Sequence, residues 1–156
     1  MKRFFYFLLA LCQLLCLTAC NLGSNATQKE AEFYALVDST QDIIDIVADD
    51  IYQHWYDCIY KDKYRESIDY AIAVALSDNE ENINVIKSNT AKIKNLYKTV
   101  RDGKLSEEVK AVMQAYNDYY ALVIEISGSF ESYSEKMETC KKALSSSLSN
   151  LSFELD

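Results

Sequence analysis

Proline is absent from all 156 residues and glycine occurs only three times, so this chain has little means of making tight turns. A compact β domain needs turn chemistry every few residues, whereas long helices need few connections. The apolar periodicity agrees. In a first segment Phe33, Val37, Thr40, Ile44, Val47, Ile51, His54 and Cys58 alternate steps of four and three. Ile83, Ile86, Thr90, Ile93, Tyr97 and Val100 do the same in a second. A third seam runs through Val109, Val112, Tyr116, Tyr119, Val123, Ile126, Phe130, Tyr133, Met137, Cys140 and Leu144. Such spacing puts each set on one stripe of a helix, ready to pack against another helix. The expected fold is all-α, an antiparallel bundle of three to four long helices over residues 29–152, with 153–156 as a tail.

The punctuation between seams is specific. Ser77-Asp78-Asn79-Glu80 fits a capping box, with Ser77 at the start of a helix and Glu80 reaching back. Arg101-Asp102-Gly103-Lys104 reads as a helix end with a left-handed glycine, and Ser106 with Glu107 and Glu108 starts the next helix. So short a turn makes the second and third segments an antiparallel hairpin. A further discontinuity is expected near Lys61-Asp62-Lys63, where the apolar pattern thins. At Ser127-Gly128-Ser129 the seam continues in phase, yet an unbroken helix from Ser106 to Leu151 would run ~68 Å. That is about twice the second segment, which favours at least a kink, while one continuous helix stays open as the alternative. A full break would fold the last part back and bring Cys140 within about two helical turns of the level of Cys58. The serine-rich stretch from Ser145 to Asn150 is expected to fray.

The N-terminus carries a different kind of signal. Lys2 and Arg3 precede an apolar run from Phe4 to Leu17 broken only by Gln13, and Leu17-Thr18-Ala19-Cys20 follows. The run is shorter than the ~20 residues of a membrane span. Only Cys20, unlike Cys12 and Cys16, has small residues at the two positions before it. This layout resembles bacterial lipoprotein precursors, with Leu17-Thr18-Ala19-Cys20 as the lipobox. The resemblance implies a cleaved signal peptide over 1–19, a diacylglycerol and palmitate anchor on Cys20, and residence on the extracytoplasmic face of the cell membrane. Residues 20–28 would then be a lipidated tether of about 15 Å. Two acyl chains give stable attachment where one is marginal. The abundance of Ile, Asn, Lys and Tyr favours a Gram-positive surface over a periplasm. Ser127 to Ser134 also resembles a segment of small helical lipoproteins of Gram-positive bacteria. Those proteins place proline before the glycine–serine pair, where Ile126-Ser127 stand here.

Charge narrows the partners. Without Lys2 and Arg3 the chain carries 14 basic and 24 acidic residues, a formal −10. Nucleic acid is excluded as a partner on this ground, and anionic headgroups repel such a body. Acidic residues fill Glu30 to Tyr60, whereas Lys87, Lys92, Lys94, Lys98 and Arg101 mark the second segment. The basic helix is expected beside the acidic one, with exposed ion pairs setting their orientation. The row Asp38, Asp42, Asp45 and Asp49 could instead draw a cation, but a straight helix presents carboxylates in a line and calcium needs converging oxygens.

Cys58 and Cys140 admit two readings, a disulfide in an oxidising compartment or two free cysteines packed as small hydrophobes. The aromatics Tyr52, Trp55, Tyr56, Tyr116, Tyr119 and Tyr120 are either bundle packing or an interaction patch, since Trp and Tyr dominate hot spots. A four-residue step overshoots a full turn, so Tyr52, Tyr56, Tyr60 and Tyr64 spiral round their helix. His54, the sole histidine, has no metal-ligand motif, no serine-hydrolase pattern accompanies it, and no glycine-rich phosphate loop exists. No metal and no cofactor is expected. The functional expectation is a membrane-anchored, non-enzymatic binding or interaction module that engages another protein or an envelope component. The alternative is a bundle that holds a small ligand near the tyrosine cluster.

Overall fold

The computed structural model describes residues 25–64 and 67–155, with side chains from Thr27 onward. The expected signal peptide, Cys20 and residues 20–24 of the expected tether lie outside the described residues. Among those described, five helices and no strand occur: α1 (Asn25–Tyr60), α2 (Ile68–Asp78), α3 (Glu80–Val100), α4 (Ser106–Ile124) and α5 (Phe130–Leu155). The all-helical expectation is met, with more helices than foreseen because the return arm is divided.

Helix α1 is the spine. At 36 residues it extends about 54 Å, and it packs against each of the other four helices. Its predicted seam is buried throughout except for His54, which is only partly covered. Thr40 belongs to that seam because its hydroxyl bonds to the Leu36 carbonyl at 2.6 Å, leaving its methyl for the core. Thr90 repeats the device on α3, bonding to the Ile86 carbonyl at 2.7 Å and to the Tyr116 hydroxyl at 2.6 Å.

Helices α2 and α3 run back along α1 as one arm with a single-residue junction. Asn79 faces Asp50 (2.7 Å), Asn89 faces Thr40 (3.2 Å) and the Tyr97 ring lies against Phe33. The junction is Asn79 rather than the expected Ser77, which sits inside α2. Asn79 wins because its buried amide can donate to Asp50 and to the Ala75 carbonyl while its oxygen accepts from Asn82. A serine has too few groups to do all three.

Gly103 also departs from expectation, since it does not adopt a left-handed conformation. Its small size matters instead. A Cβ there would stand 2.8 Å from the Glu30 carboxylate oxygen Oε1 and 3.1 Å from the Val100 carbonyl oxygen. The left-handed glycine is Gly128, with φ 96°. It ends the third seam's first half and turns α5 antiparallel to α4 and α1. Along that contact Gln41 donates to Ser145 (2.7 Å), Lys141 meets Asp45 (3.0 Å) and Trp55 meets Tyr133. Residues Ser145 to Asn150 are helical, not frayed, because Leu144, Leu148 and Leu151 continue the buried stripe through them. Helices α3 and α4 touch lightly, and α3 and α5 do not pack against each other.

The expected ion pairs between α1 and α3 are not formed among the described residues. The α3 lysines are exposed, and the α1–α3 contact is apolar apart from Asn89 and Thr40. The aspartate row pairs elsewhere. Asp45 accepts from the Tyr119 hydroxyl at 2.6 Å and from Lys141, so one carboxylate ties α1 to α4 and α5 together. Burial and this carboxylate push the Tyr119 phenol far above its ordinary value, which keeps it a donor. Tyr119→Phe should therefore cost about 1.5–3 kcal/mol in urea unfolding. Tyr120→Phe, on the half-buried neighbour, should cost less than about 0.5 kcal/mol.

Candidate functional site

The strongest candidate lies where α1 and α4 end and α2 and α5 begin. Helix α1 is closed there by Asp57, whose carbonyl accepts from the backbone N–H groups of Lys61 and Lys63. Its carboxylate takes the Lys61 ammonium at 2.8 Å, the Lys63 ammonium at 2.6 Å and the Gln53 amide at 2.7 Å. Folding the chain back under Asp57 forces left-handed conformations on Asp62 (φ 52°) and Tyr64 (φ 62°), an uncommon state for a tyrosine. Ser67 then caps α2 by accepting from the Tyr70 N–H at 3.3 Å. Ser129 does the same for α5 through the Ser132 N–H at 3.2 Å.

Between these elements opens a cleft of about 520 Å³. Trp55 and Phe130 lie deep in it, Ile59 and Ile68 form its apolar sides, and Asp69 and Glu131 add two carboxylates. The Glu131 carboxyl is held below its usual range by its own backbone N–H and the Ser129 hydroxyl, so it stays charged. Trp55 is 4% exposed, and its indole N–H is buried without an acceptor. Ile59 and Ile68 in its lining are each 40% exposed, and Tyr60, whose ring meets Phe130 at 6.0 Å, is 57% exposed. The other large apolar residues exposed among the described residues, Ile46, Tyr70, Val85 and Phe153, do not line this cleft. A second open cleft, about 420 Å³, lies at the opposite end, between the start of α4 and the end of α5 beside Phe153.

The six aromatic residues singled out from the sequence divide into two groups. Tyr52, Trp55 and Tyr56 gather around Phe130 with ring centroids 5.1–6.2 Å apart. Trp55 is buried there, and Tyr52 and Tyr56 are half-buried. Tyr116, Tyr119 and Tyr120 lie on α4, away from that cluster. Tyr116 and Tyr119 are wholly buried and hydrogen-bonded, and Tyr120 stacks on Tyr116 at 6.2 Å. Burial pushes the Tyr116 phenol up to about 12. As a single exposed patch the six are therefore corrected: three are buried and three only half-exposed. The surface that sequence reasoning missed is Ile59, Tyr60 and Ile68. Its signal was the spiral of Tyr52, Tyr56, Tyr60 and Tyr64, which carries Tyr60 out to solvent just before the chain breaks.

Cys58 and Cys140 are both free. Because Lys141 is level with Asp45, Cys140 lies more than three helical turns, about 18 Å, from Cys58. A disulfide needs Cα atoms within about 7 Å, so the expected two-turn proximity is corrected too. His54 has Nδ1 2.9 Å from the Asp50 carbonyl and Nε2 4.0 Å from the Asp78 carboxylate, yet it lines neither cleft. Among the described residues no group of three or more His, Cys, Asp or Glu side chains is placed to hold a metal ion, and no helix is long and apolar enough to cross a membrane. No protein-family model, curated protein or solved structure matches this chain.

Two outcomes follow from this geometry. The lysines hold the folded Asp57 carboxyl well below its ordinary value, so its contribution is complete above about pH 4 and is lost as pH falls through the lowered value. Asp57→Asn should lower the melting temperature at pH 7, and the difference from the parent should shrink steadily in melts below pH 4. For the cysteines, non-reducing thiol titration of the unfolded chain should show Cys58 and Cys140 both reactive. In the folded chain burial and the Asp118 charge raise the Cys140 thiol, so its alkylation should rise only above the usual thiol range.

Proposed function

We propose that this chain is a membrane-anchored extracytoplasmic lipoprotein whose helical body is a non-enzymatic binding module. The observation that carries the binding role is the grouping of uncovered apolar side chains, Ile59 and Ile68 in the lining and Tyr60 against Phe130, at one aromatic-floored cleft. Aromatic and aliphatic anchors beside a pocket are the usual core of a protein-recognition surface. The address comes from the sequence: Lys2 and Arg3, the apolar run and Leu17-Thr18-Ala19-Cys20. With Cys20 acylated, the start of α1 is the part of the body tethered to the bilayer, and the cleft lies at the other end of that helix, about 54 Å along it. A surface at the end away from the anchor is open to a second protein or an envelope component.

Metabolic labelling with radioactive palmitate should mark the protein, and Cys20→Ala should abolish the label and release the chain from the membrane fraction. An unlabelled parent, with the variant still membrane-bound, would refute the anchor. For the binding role, a photoreactive residue at position 68 should capture one defined partner in living cells, and the same residue at exposed position 92 on α3 should not. Equal or empty capture from both positions would refute it.

A further inference from the structure

The far-end cleft has a charge pattern that specifies its occupant more closely. Its body is apolar, made by Trp55, Ile59, Ile68 and Phe130, and its two charged lining residues, Asp69 and Glu131, are both acidic. Among the described residues no lysine or arginine lines it. Of the bases described near it, Lys61 and Lys63 are engaged by Asp57, and Lys61 also lies over the Tyr56 ring at 5.4 Å. Two acids at the rim of an apolar cleft attract a cation that carries its own apolar body.

Charge also discriminates between occupants. A second copy of this chain, docked about a two-fold axis, would bring Asp69 and Glu131 against their own duplicates. Anionic lipid headgroups would meet the same repulsion. A basic, apolar polypeptide meets none, because it buries side chains against Ile59 and Ile68 while its ammonium or guanidinium groups face the rim carboxylates. Trp55 adds a feature of its own, a buried indole N–H without an acceptor beneath the cleft.

We propose that the cleft between α1, α2 and α5 docks an extended segment of a partner protein that presents an aliphatic side chain flanked by lysine or arginine. This rests on the binding role proposed above and adds the chemistry of the partner. The side chain enters between Ile59, Ile68 and Phe130, and the flanking cations pair with Asp69 and Glu131 at the rim.

Trp55 is the only tryptophan, so its emission reports directly on the cleft. The chain as isolated from cells, reconstituted in phosphatidylcholine vesicles, is titrated with short capped peptides alternating leucine with lysine, with glutamate or with serine. The lysine peptide should shift Trp55 emission and bind at least about tenfold more tightly than the glutamate peptide. That preference should fall to within about threefold in the Asp69→Asn, Glu131→Gln double variant, with helicity by circular dichroism unchanged. In the parent protein it should also weaken several-fold as salt is raised from about 0.05 to about 0.5 M. Equal binding of all three peptides, or no emission change with any of them, overturns the inference. So does self-association, seen by sedimentation, that Ile68→Ser abolishes. Photo-capture from position 68 without a charge preference overturns the partner chemistry and leaves the binding role standing. Failure of that capture removes the binding role itself.

Discussion

Burial of the narrow stripe on α1 is the constraint on which the molecule rests. A helix of about 54 Å cannot cover its own apolar face, and no single partner here is long enough to do so. The chain answers with two layers. The α2–α3 arm covers one flank from Tyr60 almost to Glu30, and α4 with α5 covers the other. Every other helix touches α1, so the fold is organised around a spine more than around a central cavity. The tyrosines that fill the space between α1, α4 and α5 do so as hydrogen-bonded pairs with Asp45, Thr90 and Ala48. Satisfying those hydroxyls internally makes such large polar rings compatible with complete burial.

The cleft follows from the same arithmetic of lengths. Helix α1 outruns the bundle at its C-terminal end, and the helices that cover it there are only beginning. Two helix starts and one helix end cannot close over each other as three parallel rods can. Trp55 and Phe130 fill the deepest part of the gap, and Ile59 and Ile68 are left at its edges. The opening is thus a product of how the chain turns at Asp57 and Gly128, both held by specific chemistry.

Much of the architecture was legible because helical seams are a repeated signal. The α1 seam was read correctly even at Thr40, since a threonine in phase with valines and isoleucines is most economically buried against its own backbone. At Gly128 length pointed to at least a kink, and the full break rests on the left-handed glycine and the Ser129 cap that follows it. What escaped were positions decided by several partners at once. Asn79 outcompeted Ser77 because of Asp50, a residue of another helix. Gly103 was read as a conformational glycine when the reason is the Glu30 side chain pressed against it. The opposed charges of α1 and α3 suggested ion pairs, yet adjacency of helices does not bring exposed lysines within reach of carboxylates on a neighbour's other face. The candidate site was legible in its aromatic members and not in its shape. Ile68 and Asp69 gain meaning only when α2 is laid beside the end of α1.

The α2 wall of the cleft is held by smaller side chains than the others. Its wholly buried contacts are two alanines, Ala71 and Ala75, with Ile72 and Leu76 only partly covered. Small side chains let the α2 backbone lie close to α1, and Asn79 fastens the far end of α2 to that helix through Asp50. The recess is therefore bounded on this side by a helix held through close approach and one buried amide, and on the others by large interlocking rings.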